Sequence, residues 1–403
     1  MKKIAILLFI FLCLAADTKV TIYPYIHWLS WIILILPFMI KDFIIKGFVI
    51  SPLLYTGLFA FILGCLTSLV VAPNLETVIQ ILKFSLIFTT LYYFLFYNIF
   101  KLHSIITIFN LAVFVNALFL ILGILNLIPT ASLLTSDGRW GTILAFPGSL
   151  VKIGAIGIYI NLMLMLLNNK KGNIEPLFIL ILSIFIVLMD GSRTGMLVLG
   201  LTMVIIPFQY FLVNNKNKTK VFIILSSMSF VIFISIVVLA PFILTSRIGN
   251  SFIKLFSASS FSNALESIDS IRFEMILSAF DKILKDPFIG HGAFSTVGGN
   301  GMVVHNTYLQ VWGDFGLFGI VGLVSLYFGW IFMLPKILGK LQIIGLGLNS
   351  AMVCSSTLML LYFVMNGMFH PYSTEFSEWI VFIIPLTICY QFYKYDLNEF
   401  NKN

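Results

Sequence analysis

Long runs of Ile, Leu and Phe alternate with short polar breaks along the whole chain, and most runs have the length of a membrane crossing. A helix needs roughly 20 mainly apolar residues to cross the hydrocarbon, where every backbone polar group must be satisfied within the segment. The breaks delimit twelve candidate spans, near 4–17, 22–40, 48–70, 77–98, 103–128, 148–167, 174–190, 194–213, 221–243, 306–334, 341–366 and 377–393. The first, behind Lys2-Lys3, also resembles a signal peptide. Leu14-Ala15-Ala16 is a poor cleavage site, so a retained span is expected. The pattern predicts an all-α, polytopic membrane helix bundle of about twelve transmembrane helices, a single integral membrane domain over 1–403.

One segment, 244–305, is too long and too polar to be a simple connection, and it is expected as a large extracytoplasmic loop. Within it, 268–285 places Ile268, Ile271, Met275, Ala279 and Ile283 at helical spacing opposite Arg272, Glu274, Asp281, Lys282 and Lys285. Ser267 or Ser270 suits its start and Asp286-Pro287 its end. This amphipathic helix is expected to lie on the membrane surface or to roof a cavity. Five glycines among residues 290–301 suggest a mobile lid. No strand precedes them and their spacing does not fit a dinucleotide fingerprint. His305-Asn306 then opens a span in which Gly313, Gly316, Gly319 and Gly322 recur at every third position, a stripe suited to close helix packing.

Composition excludes the other broad classes. Of 403 residues 60% are hydrophobic and 10% charged, which rules out an ordinary soluble enzyme, a disordered chain and a secreted disulfide scaffold. Cys13, Cys65, Cys354 and Cys389 fall inside apolar runs with no metal-ligand spacing and read as small buried hydrophobes.

The net charge of +8 is a topology signal, and no basic–aromatic patch or phosphate loop points to nucleic acid. With the N-terminus inside, the inner segments hold 14 lysines against four acids, and the outer segments eight cations against 12 acids. Both termini are therefore expected to be cytoplasmic.

The arginines break the rule. All four, Arg139, Arg193, Arg247 and Arg272, fall on the outer side, whereas every inner cation is Lys. Arg offers a planar fork of donors that grips phosphate in a bidentate way. Arg193 also opens a helix after Asp190-Gly191-Ser192, where backbone amides favour an anion. A histidine at a span mouth, His305, can exchange a proton near neutral pH. Lys83 inside the fourth span is costly to bury and is expected to face a polar cavity or a phosphate. Glu375 and Glu378, one turn apart before the last span, could contact sugar or act as a base, or could simply be solvated.

In order and spacing, four stretches resemble the O-antigen ligase/polymerase family of bacterial membrane glycosyltransferases. They are Asp190-Gly191-Ser192-Arg193, Ser270-Ile271-Arg272-Phe273-Glu274, Asp286-Pro287-Phe288-Ile289-Gly290-His291-Gly292, and His305-Asn306-Thr307-Tyr308-Leu309 running into Gly313-Asp314-Phe315-Gly316. The block spans about 185–335. Elsewhere only Lys83 and Arg139 look family-like.

The resemblance implies a polyprenyl-diphosphate-linked oligosaccharide donor at the outer face of the cytoplasmic (inner) membrane, with no cofactor and no metal. A polymerase transfers the glycan onto a lipid-linked repeat unit; a ligase transfers it onto lipid A-core. It also implies a chain-length regulator protein as a partner. On this reading Arg193 and Arg272 clamp the departing diphosphate, with Arg139 assisting, and His305 is the base. Arg247, Lys83, Asn306 and Glu375 complete the substrate-binding set. A flippase or transporter for the same lipid is the rival class; transporters tend to show internal repeats and charges at mid-membrane depth, and neither is evident.

Overall fold

The computed structural model describes residues 1–17, 22–47, 52–97, 101–128, 132–135, 138–168, 174–214, 270–298 and 301–394. The expected span at 221–243, Arg247 and the first part of the 244–305 loop lie outside the described residues.

Helices α1 (Lys2–Ala15), α2 (Tyr23–Leu34), α3 (Leu36–Lys46), α4 (Pro52–Val71), α5 (Leu75–Tyr97) and α6 (Leu102–Ile124) come first. A two-stranded hairpin follows, β1 (Ser132–Leu134) and β2 (Trp140–Thr142), then α7 (Leu150–Leu167), α8 (Ile174–Asp190), α9 (Arg193–Met203) and α10 (Ile206–Val213). After the undescribed stretch come α11 (Ser270–Lys285), α12 (Thr307–Phe328), a 3-10 turn (Gly329–Met333), α13 (Leu334–Ile344), α14 (Leu348–Asn366) and α15 (Phe376–Lys394). Among the described residues, eight helical stretches are long and apolar enough to cross a bilayer. The protein is an all-α polytopic membrane bundle.

Prolines set several joints. Pro24, Pro37, Pro207 and Pro335 sit in the first turn of α2, α3, α10 and α13, where a missing N–H costs nothing. Pro37 thereby divides the expected 22–40 span into α2 and α3. The expected span at 341–366 starts later, because Gly345 (φ +69°) ends α13 and α14 begins only at Leu348. α1, at 14 residues, is short for a crossing, yet Phe9 and Ile10 are fully buried and the helix packs against α2, α6 and α15.

Where apolar side chains gain nothing by leaving lipid for one another, close backbone approach holds helices together. α4 and α12 show it best. A Cβ built on Gly64 would lie 2.3 Å from the Gly319 nitrogen, and one on Gly322 would lie 2.3 Å from the Phe61 nitrogen. Gly319 and Gly322 thus have the packing role expected of the stripe. Gly316 differs: at φ +67° it kinks α12, and its Cα faces the Phe288 carbonyl. The four cysteines are buried and free, as read from the sequence.

The bundle is polarised. At one end Lys2 donates to the Asp42 carboxylate and to the Tyr97 carbonyl (3.3 Å), and Lys46 Nζ is 3.5 Å from Asp42. Lys394 lies over the Phe96 ring, and Lys340 donates to the Phe392 and Tyr393 carbonyls. The first and last described helices therefore bring Lys2 and Lys394 to the same end of α5. Arginine and carboxylate chemistry collects at the other end.

Candidate active site at the arginine-bearing end

Asp190, the last residue of α8, is fully buried and organises this end. Its carboxylate accepts from the Gly148 nitrogen (2.8 and 2.9 Å) and from the Val151 nitrogen (2.9 Å) at the start of α7. Arg139, carried by the β-hairpin, donates Nε to the Asp190 carbonyl at 3.0 Å and Nη2 to Oδ1 at 3.1 Å. The hairpin, unforeseen in the sequence, pairs Leu133 with Gly141 and Leu134 with Trp140. It is anchored in turn where the Tyr23 hydroxyl donates to the Ile143 carbonyl (2.5 Å) and the Asp17 nitrogen to the Leu144 carbonyl (2.7 Å).

The turn after Asp190 presents Arg193. Gly191 adopts φ +64°, a conformation glycine takes without strain. Ser192 caps α9 by accepting from the Gly195 nitrogen (3.3 Å), and Gly195 fits against Val151 of α7. Arg193 is thus the first residue of a capped helix, half-buried, three positions from the carboxylate that holds Arg139.

Two lysine–glutamate pairs fix the start of α15. Lys83 Nζ meets Glu375 Oε1 at 2.5 Å, and Trp28 Nε1 donates to Glu375 Oε2 at 3.0 Å. One turn on, Lys152 of α7 pairs with Glu378. Neither acid is a solvated loop residue, since their side chains are only 15% and 22% exposed. The expectation that Lys83 faces a polar cavity or a phosphate is met instead by a carboxylate.

α11 covers the expected 268–285 segment. Met275, Ala279 and Ile283 are buried as its periodicity predicts, while Ile271 is exposed. Met275 and Ala279 pack with Val304 and Leu309, which joins α11 to the start of α12. His305 Nδ1 is 3.1 Å from the Val303 carbonyl. A carbonyl only accepts, so Nδ1 carries the proton and Nε2 is the basic nitrogen of the neutral ring. Asn306 caps α12, accepting from the Leu309 nitrogen (3.0 Å) and donating to the Met368 carbonyl (3.1 Å). Its amide serves the fold at both ends, and a role in placing substrate is not needed to explain it.

The glycine-rich segment is fastened, not loose, over its described part. Buried Asp314 of α12 accepts from the Phe294 nitrogen (2.8 Å), the Ser295 hydroxyl (3.1 Å), and the Thr296 nitrogen (2.8 Å) and hydroxyl (2.7 Å). Ala293 donates to Thr77 of α5 at 2.9 Å. Lys282 of α11 donates to the Ser295 carbonyl, and partial burial lowers its pKa against the opposing pull of Asp314. Sequence reasoning saw five glycines and inferred mobility; it missed the carboxylate that holds Phe294, Ser295 and Thr296 between them.

Arg139 binds Asp190, Asp190 the Val151 amide, and Lys152, next in the chain, Glu378; separately, Thr307 donates to the Gly367 and His370 carbonyls (both 2.8 Å). Asp190, Lys152 and Asp314 were absent from the expected site, and Glu378 was weighed there only as a sugar contact, a base or a solvated residue. Of these, Asp190 and Asp314 lie within the quoted motifs, and only their burial reveals what they do.

Such an assembly of ion pairs at one end of a multi-crossing helical bundle defines an integral membrane protein with one polar, charge-paired end. Residues 178–324, the block bearing Arg193, Arg272 and His305, match the family model described as O-Antigen ligase. No curated protein matches the chain. The family match supports ligase/polymerase-type function, a membrane glycosyltransferase using a lipid-linked glycan, and gives no support to a flippase.

Proposed function

We propose that this protein is a surface-polysaccharide polymerase that moves a polyprenyl-diphosphate-linked glycan onto a lipid-linked repeat unit. The supporting observation is that the family match contains Arg193, Arg272 and His305 together. In the proposed reaction the acceptor hydroxyl attacks the anomeric carbon, its proton passes to His305 Nε2, and the bond from that carbon to the diphosphate oxygen breaks. Arg193 and Arg272 neutralise the diphosphate as it leaves, with Arg139 held alongside by Asp190. Preorganised donors aimed at developing charge are commonly the largest single contribution to such a rate. Transfer without metal is part of this reading.

The same proposal carries the twelve-span plan with the 244–305 loop outside, the arginine-bearing end facing the outer side of the inner membrane, both termini in the cytoplasm, and Arg247 as a further phosphate contact. A chain-length regulator is the proposed protein partner. The description of the matching family favours a second reading, ligation to lipid A-core. Purified protein given lipid-linked repeat units tests both: longer lipid-linked glycans support a polymerase, and product formed only when lipid A-core is added supports a ligase.

A further inference from the structure

Thr307, Asn366, Gly367, His370, Ser373 and Glu378 line a polar cavity of ≈ 30 Å³ between the start of α12, the end of α14 and the start of α15. That is room for about two water-sized groups. Asn366 is 7% exposed, and its Oδ1 has no hydrogen-bond partner among the described residues. A buried amide oxygen left unmatched carries its full desolvation penalty, so a fold gains nothing by keeping one. The walls are firm: Thr307 is tied through both its nitrogen and its hydroxyl, and both carboxylate oxygens of Glu378 accept from Lys152.

The cavity's chemistry narrows the ligand. Asn366 Oδ1 and the Glu378 carboxylate only accept hydrogen bonds. The cavity's walls include the Glu378 carboxylate and His370, with no arginine or lysine among the described lining residues, a balance that does not favour a phosphate. A neutral group that donates is favoured, and one hydroxyl or hydroxymethyl fills the space. Thr307 lies two residues beyond His305 in the chain.

We propose that this cavity is a subsite for a hydroxyl or hydroxymethyl group of the acceptor sugar, with Asn366 Oδ1 and Glu378 as its hydrogen-bond acceptors. The inference rests on the transferase reading above. It assigns the acceptor to the α12–α14–α15 corner, where no guanidinium group among the described residues lines the cavity.

The test is Asn366→Leu in the full-length protein in nanodiscs, with lipid-linked repeat units from the host membrane as both donor and acceptor. The thermal midpoint should stay level or rise, because an unmatched buried amide is removed. KM for the acceptor should rise about five- to tenfold, as expected for one lost hydrogen bond. Asn366→Ser, smaller and still polar, gives an intermediate KM and guards against misfit of the leucine. An unchanged acceptor KM in both variants overturns the subsite, as does a midpoint that falls in both. A wild-type protein that forms no glycosidic bond defeats the transferase reading itself, and the subsite with it.

Discussion

The guanidinium of Arg139 is held by Asp190 at two points, Nε on the backbone carbonyl and Nη2 on the carboxylate, at 3.0 and 3.1 Å. Asp190 simultaneously takes the first amides of α7, so one carboxylate joins the β-hairpin, α7 and the turn that presents Arg193. Asp190→Ala leaves those amides and the guanidinium without their acceptor. A loss of about 3 kcal/mol or more is expected, from breaking a buried charged network. Thermal unfolding in detergent should show the shift, and Arg139→Lys, which keeps the charge but not the fork, should show a smaller one.

Asp314 is expected to govern the order of residues 293–296 in the same way. Asp314→Ala removes the acceptor for three amide and hydroxyl donors at 2.7–2.8 Å and for the Ser295 hydroxyl. Hydrogen exchange at 293–297 should accelerate strongly while exchange in α14 is unchanged. Equal protection in variant and wild type would mean that the loop is held by something else.

Helix contact between α4 and α12 sets a steric prediction. Gly64→Val forces a side chain onto the Gly319 backbone and should cost about 1–3 kcal/mol or prevent assembly. Gly339→Ala in α13 meets nothing within 4 Å and should be neutral or slightly stabilising. Comparing the two thermal midpoints separates packing from a general intolerance of substitution.

Lys83 and Glu375 should behave as a coupled pair. Lys83→Gln alone and Glu375→Gln alone each strand a half-buried charge, whereas the double substitution strands none. A double-mutant cycle should therefore return a coupling of about 1–3 kcal/mol. Additive single effects would contradict the pairing seen at 2.5 Å.

The fold was legible where it depends on segment length and hydrophobicity. Apolar runs announced the helices, and the spacing of Met275, Ala279 and Ile283 announced the buried face of α11. Local backbone chemistry then shifted boundaries: Pro37 split one expected span, and Gly345 delayed another. The arginines drew attention in the sequence because all four stood against the charge rule, and the structure ties Arg139 among them to Asp190. It was not legible in its acids. Asp190 and Asp314 read as ordinary motif letters, and Glu375 as a sugar contact, a base or a solvated residue, because their partners lie 18 to 292 residues away in the chain. Asn306 shows the reverse case, a residue beside the expected base whose amide caps a helix.

The central claim is that Arg193 and Arg272 neutralise a leaving diphosphate. Its most direct measurement is the single-turnover rate of glycan transfer between lipid-linked repeat units by purified wild-type, Arg193→Ala and Arg272→Ala proteins of matched thermal stability. Each substitution is expected to slow transfer by about 100-fold or more, in line with losing one preorganised donor to developing charge. Transfer at the wild-type rate by either variant would contradict the account.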